Sequence, residues 1–425
     1  AVYFFALITN NGTKNIYFFS FPSSFFFSDA FSSTASPSPP LPNPNLALYP
    51  TFTNPKMQKA VTNLVNELNE KSKSMRRGED KKMTKTEAGL ARARALIKDA
   101  IIKGRTSEIA FDEKDPDYIP RGEIYRNAYV FQRSYRLMES MLKIYVYEEG
   151  DPPLFHNGPW KDIYSTEGIL LGLIESSSKF RSYDPDEAHL YFLPFSVVMI
   201  LQNLFDPIER DKAVLERVVG DYVRTVSAKY TKDVSIPEIN LPTGEITGLT
   251  SPASSNRTTL AFFAGQLHGR IRSLLLQHWK DKDDNIKVFE KMPLSPSNRN
   301  SNSYKEMMEN SKFCLCPSGY EVASPRVPEA IYAECVPVLI SENYIFPFSD
   351  VLDWDRFSVT VSVDELPNLK RILTGIGEDD YEALHRGVKQ VQRHFLVNDP
   401  PKRYDVFHMM LHSLWLRRLN LRINA

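Results

Sequence analysis

The sequence predicts a parallel α/β protein of the doubly wound class, and three observations carry that prediction. From Leu260 onward, short apolar runs alternate regularly with helix-patterned stretches. Between the neighbouring runs FCLC (313–316) and VPVLI (336–340) lies a helix-length segment and no hairpin turn, so those two strands must be parallel. The polar residues of that segment, Ser324, Arg326 and Glu329, fall where a strand end meets a helix start. Open parallel sheets bind their ligands at that place.

At the N-terminus, VYFFALI and IYFFSFPSSFFF are apolar but broken by Asn10, Asn11, Lys14, Asn15 and prolines. Neither reaches the ~20 apolar residues of a membrane span, and no charged leader precedes them. Residues 32–55 are rich in Pro and Ser, so 1–55 reads as a disordered segment. Composition then shifts to Lys, Glu, Arg, Ala and Leu. EAGLARARALIKDAII, from Glu87, places Leu90, Ala93, Leu96, Ile97 and Ile101 on one helical face. Residues 56–117 are expected to form a solvated helical stem, with RRGEDKK a solvated charge run.

A first globular domain is expected over 118–250. LKIYVY (142–147) and HLYFLPF (189–195) read as strands, joined by the loop EEGDPPLFHNGPW and a helix over 164–176. AVLERVVGDYVRTVSAKYTK (213–232) reads as one helix, running into DVSIPEINLPTG without a convincing strand. Two clear strands are too few to close a core, so this domain reads as incomplete. The second domain, 251–404, is regular. LAFFAG, NIKVFE, FCLC, VPVLI and FSVTV are strands, separated by HGRIRSLLLQHW, SYKEMMENS and SPRVPEAIYAE as helices. DVFHMMLHSLWLRRL makes a last helix within 405–425.

Composition narrows the function. A chain of 425 residues accommodates two domains plus extensions. Lys plus Arg and Asp plus Glu are each 52, which argues against a nucleic-acid partner, since such a partner favours a basic face. Cys314, Cys316 and Cys335 lie on or beside buried strands and read as buried thiols, too few for a zinc site. No GxxxxGK[ST] or GxGxxG is present, and His408 and His412 lack the glutamate of HExxH. The DxD triplets at Asp115–Asp117, Asp184–Asp186 and Asp353–Asp355 read as turns before metal chelators.

Two segments carry chemistry. In SPRVPEAIYAE, Ser324 reads as an N-cap with prolines in the first turn, so free N–H groups and the helix dipole favour an anion. A phosphate for Arg326 and the helix end, with sugar hydroxyls for Glu329, describes a nucleotide or nucleotide-sugar. FFAGQLHGRIRSLL repeats that geometry. A strand ends at Ala264 and Gly265, and the helix after it bears Arg270 and Arg272. Two arginines converging on a cleft neutralise a diphosphate without a metal, whereas two solvated arginines would do nothing.

LKIYVYEEGDPPLFHNGP, DPDEAHLYFLPF, LAFFAGQLHGRIR and SKFCLCPSGYEVASPRVPEAIYAECVPVLISENYIFPFSDVLDW together resemble the exostosin-like glycosyltransferases, family 47 in plants. The resemblance implies two Rossmann-like domains facing a cleft (the GT-B fold), the first acceptor-side and the second nucleotide-sugar-binding. It implies a UDP-sugar donor with no further cofactor, inverting transfer to a cell-wall polysaccharide or related glycan, and a type II Golgi membrane protein, with assembly into a glycosyltransferase complex possible. By position, Arg272, Ser324 and Arg326 fall to the diphosphate of the donor site and Glu329 to the ribose; Gly265 and Arg270, from the strand-to-helix turn read above, complete the donor-binding candidates. Relatives carry a few dozen further residues where Tyr230 is here followed by Thr231 and Lys232, including a His-Asp-Trp-Gly motif. The catalytic base is then either His156 or a residue of that absent motif. The rival expectation is a non-catalytic variant that keeps donor binding or partners an active relative. Asn256, in Asn256-Arg257-Thr258, is a candidate glycosylation site, as is Asn11.

Overall fold

The computed structural model describes residues 85–103, 118–147, 156, 158–192, 194, 196, 198–199, 235–246, 249–250, 257–292, 302–319, 323–342 and 344–421. The N-terminal segment, most of the stem, the helix expected over 213–232, the junction at 230–232, Asp115–Asp117 and both sequon asparagines lie outside the described residues.

Two parallel sheets organise the chain. In the first, β1 (Ile144–Val146) lies between β2 (Arg181–Ser182) and β3 (Leu190–Phe192), all parallel. In the second, β4 (Thr259–Ala264), β5 (Ile286–Phe289), β6 (Ser311–Pro317), β7 (Val336–Ile340) and β8 (Val359–Thr360) stand in the order β5-β4-β6-β7-β8, again all parallel. Every strand expected in the second domain is present. Val336–Ile340 is buried at every residue, as a central parallel strand covered on both faces must be.

The helices connect and cover these sheets. They are α1 (residues 85–103), α2 (Ala128–Met141), α3 (Ser165–Ser176), α4 (Arg270–Trp279), α5 (Asn302–Glu309), α6 (Arg326–Tyr332), α7 (Leu369–Thr374), α8 (Glu378–Val391) and α9 (Val406–Leu419). Asn127 caps α2 by accepting from the Val130 N–H at 3.0 Å, and Asp405 caps α9 by accepting from His408 at 3.2 Å. Helix α9 is buried nearly throughout, its histidines and arginines included. It packs on α2, so the end of the chain completes the core of the first domain.

Two expectations are corrected. The apolar stripe of α1 is not part of a solvated stem. Leu90, Ala93, Ile97 and Ala100 are buried, Arg94 Nε donates to the Leu419 carbonyl at 2.9 Å, and Arg418 pairs with Glu87. These bonds tie the stripe to the buried helix α9. The three cysteines are also not all free thiols. Cys314 and Cys335 form a disulfide, because the adjacency of β6 and β7 brings their Cα atoms to 5.7 Å, and only Cys316 stays a buried thiol.

Candidate active site

A cavity of about 690 Å³ opens between the two sheets, within the size range of small-molecule sites. The second domain contributes Gly265, Gln266, His268, Arg272, Tyr304, Gly319, Arg326 and Glu329. The first domain contributes Ile163 and Tyr164, just before α3, with Glu238 and Asn240.

The strand-to-helix turns position the arginines. Arg326 opens α6 at the C-terminal end of the sheet, and its Nε and Nη2 both donate to the Ala264 carbonyl, at 3.2 and 2.9 Å. Its guanidinium also lies over the Phe263 ring, 5.1 Å from the centroid. A Cβ at position 265 would stand 2.2 Å from Arg326 Nη2, so glycine there is what lets the arginine reach the end of β4. Arg272, buried in α4, lies under Gly319 in the same way, since a Cβ at 319 would come within 2.9 Å of Nη2. Arg326 is thus fixed by backbone at the cavity, and Arg272 is packed against Gly319 there.

Glu329 is a half-buried carboxylate of the site. Asn240 Nδ2 donates to its Oε1 at 2.8 Å, and the Tyr304 hydroxyl to its Oε2 at 3.0 Å. Burial pushes the Glu329 carboxyl above its usual range, while Asn240, Arg326 and Tyr304 pull it back. A carboxylate accepts at about four lone-pair positions, so two donors leave room for ligand hydroxyls. Burial also holds the Tyr304 phenol neutral, as a donor.

Asn240 belongs to an extended segment (235–241) pinned to the start of α3. Ser165 Oγ donates to the Ile239 carbonyl at 2.8 Å and Thr166 Oγ1 accepts from the Ile239 N–H at 3.1 Å. Asp162 and Leu241 exchange both backbone bonds, at 2.7 and 3.2 Å. Side chains alternate along extended backbone, so Ile239 and Leu241 enter the core while Glu238 and Asn240 face the cavity.

The structure brings Gly265, Arg272, Arg326 and Glu329 together, as expected, and separates the other candidates. Arg270 is turned outward from α4 and pairs with Glu342 on the surface, because it and Arg272 project in different directions from the helix. Ser324 does not cap α6. The cap position is Pro325, and the Ser324 hydroxyl is buried outside the cavity lining without a hydrogen bond, while its carbonyl accepts from Val327. His156 also does not line the cavity, because its Nε2 is held 3.1 Å from Glu175 Oε2. Of the acidic triplets, Asp184 Oδ1 accepts from the Asp186 N–H at 2.9 Å, the turn expected there. Asp353 pairs with Arg126 and Arg356. His408 and His412 are buried, on Asp405 and Ser134 respectively. Asn240, Tyr304 and Glu238 escaped the sequence reading. The alternation Glu-Ile-Asn-Leu was the available signal for two of them.

Two parallel α/β units with a cavity between them, lined by two arginines and two glutamates, define the two-domain type of glycosyltransferase. The exostosin GT47 domain matches residues 214–376. A probable glycosyltransferase of Arabidopsis thaliana is 54% identical over 390 residues, spanning 80% of this chain and 82% of the relative. The chain belongs to the exostosin GT47 family. A probable arabinosyltransferase of the same plant is 28% identical over 269 residues (60% of this chain, 57% of the relative). A probable glucuronosyltransferase of Oryza sativa subsp. japonica is 37% identical over 114 residues, 26% of each chain. In the first comparison, 80% of 425 residues is about 340, so about 50 of the 390 aligned positions have no counterpart here.

Proposed function

We propose that the cavity binds a UDP-sugar and that the chain transfers its sugar, with inversion, to a cell-wall polysaccharide or related glycan. The observation that carries this reading is Glu329, a half-buried carboxylate facing the cavity beside Arg272 and Arg326. Its open lone pairs suit two neighbouring ribose hydroxyls, and the guanidinium groups suit the diphosphate. As the bond from the anomeric carbon to UDP breaks, the electron pair goes to the departing phosphate oxygen. Fixed cations stabilise that oxygen most when water is excluded.

On this reading the arginines take the place of a divalent ion, and donor binding needs no metal. The disulfide suits an oxidising compartment, which supports the secretory-lumen setting of a type II Golgi protein. UDP release should be measured over a panel of UDP-sugars with wall glycans, in EDTA. UDP-glucuronic acid and UDP-arabinose head the panel, as the donors that the names of two relatives suggest. Donor-dependent UDP release in EDTA is the expected result. Release that needs Mn²⁺ would overturn the metal-free assignment.

The roughly 50 absent positions favour a second reading, a variant that binds donor but transfers nothing to glycan, alone or within a complex with an active relative. UDP binding without transfer would support it.

A further inference from the structure

We infer that Glu238 is the proton acceptor of the transfer reaction, a role that rests on the donor reading above. In an inverting displacement the nucleophile approaches the anomeric carbon opposite the leaving group. With the diphosphate on Arg272 and Arg326 of the second domain, the acceptor oxygen must enter from the first. Among the described residues that line the cavity, Glu238 is the one carboxylate the first domain supplies. The other ionisable side chain on that wall is Tyr164, whose phenol is a poor base near neutral pH. His268 lines the cavity from the β4–α4 turn, on the same side as Arg272, and is placed for the leaving group.

The fold holds Glu238 firmly. It is 6% exposed and follows Pro237, whose carbonyl accepts from Thr166 Oγ1 at 3.3 Å. Ile239, the next residue, is fixed through both its N–H and its carbonyl. Two residues on, Asn240 bonds Glu329, so the segment carrying Glu238 is tied to the carboxylate assigned to the donor. A rigid carboxylate in register with the donor site is what proton abstraction during attack requires.

The step balances. The acceptor hydroxyl oxygen forms its bond to the anomeric carbon and gives its proton to Glu238. The bond from that carbon to the phosphate oxygen breaks, and UDP leaves with the electron pair. Glu238 then returns the proton to solvent.

Water and azide separate this role from a structural one. Water must lose a proton as it attacks, whereas azide attacks the anomeric carbon without one. The intact chain is given UDP-glucuronic acid, UDP-arabinose, UDP-galactose or UDP-xylose, with or without sodium azide, and UDP release is followed. Glu238→Ala should lower water-driven release roughly 100-fold or more while azide-driven release and UDP affinity stay near wild type. Glu238→Gln should behave likewise. Unchanged water-driven release would overturn the inference, as would a loss of both reactions together. If the wild-type chain releases UDP from none of these donors by either route, the donor reading itself fails and the role of Glu238 falls with it. UDP binding by calorimetry then distinguishes a dead cleft from a missing one.

Discussion

The two sheets that face the cavity differ in build. In the second domain five strands of up to seven residues form a continuous parallel sheet, with a disulfide between β6 and the start of β7. On the other side the described strands are two or three residues long. That half is completed from elsewhere, by α9 from the end of the chain, α1 from before the domain, and the pinned segment 235–241. The five-stranded half therefore carries its own rigidity, whereas the short-stranded half borrows it.

The sharpest way to break this comparison is to restore what the relative carries. Placing its roughly 50 additional positions at the junction 230–232 should raise transfer to wall glycans well above that of the chain as it stands. Equal glycan transfer by the two proteins, made and assayed alike, would show that the short-stranded half is sufficient already.

The borrowed packing should also make the fold sensitive to acid. Burial lowers the His394 and His412 pKa values to about 3 and that of His189 to about 4. The Tyr404 carbonyl can only accept, so His394 donates through Nδ1 at 2.8 Å, and its Nε2 accepts from the Tyr125 hydroxyl at 2.7 Å. These depressed values mean that the unfolded chain binds more protons. Stability contributed by the three is present above pH 6.5 and is lost as pH falls toward 4, by at most about 1.4 kcal/mol per pH unit each. Glu329, whose pKa is raised, acts in the opposite sense and is one group against three. Denaturant midpoints at pH 7 and pH 5 would measure this, and His412→Asn should flatten the dependence.

The disulfide sharpens the other side. It closes a loop of 21 residues, so Cys335→Ser should cost about 3 kcal/mol of stability in the nucleotide half. A smaller effect is expected across the cleft. Asn240→Ala should weaken UDP binding by about 1 kcal/mol through Glu329, without unfolding either half.

How far the sequence revealed this follows from where each signal originates. Strands β4 to β8 are legible because strands covered on both faces must be continuously apolar, and VPVLI is. β2 is two residues, Arg181 and Ser182, and carries no pattern at all. Gly265, Arg272, Arg326 and Glu329 were legible because turn chemistry ties them to strand ends. Arg270 was misplaced because helical direction within one turn is not readable from residue type. Glu238 and Asn240 alternate with Ile239 and Leu241, but Pro237 and the short run hid the extended segment. The stripe on α1 was visible. Its partner was implied only by α9, whose run of large apolar residues is too broad to leave in water.

The central claim is that Glu329 holds the nucleotide of the donor, and titrating UDP into the wild-type chain and Glu329→Ala by calorimetry tests it most directly. The account predicts saturable binding by the wild type in EDTA, weakened by about 1.5–3 kcal/mol in a folded Glu329→Ala. Equal affinities for the two proteins would contradict it.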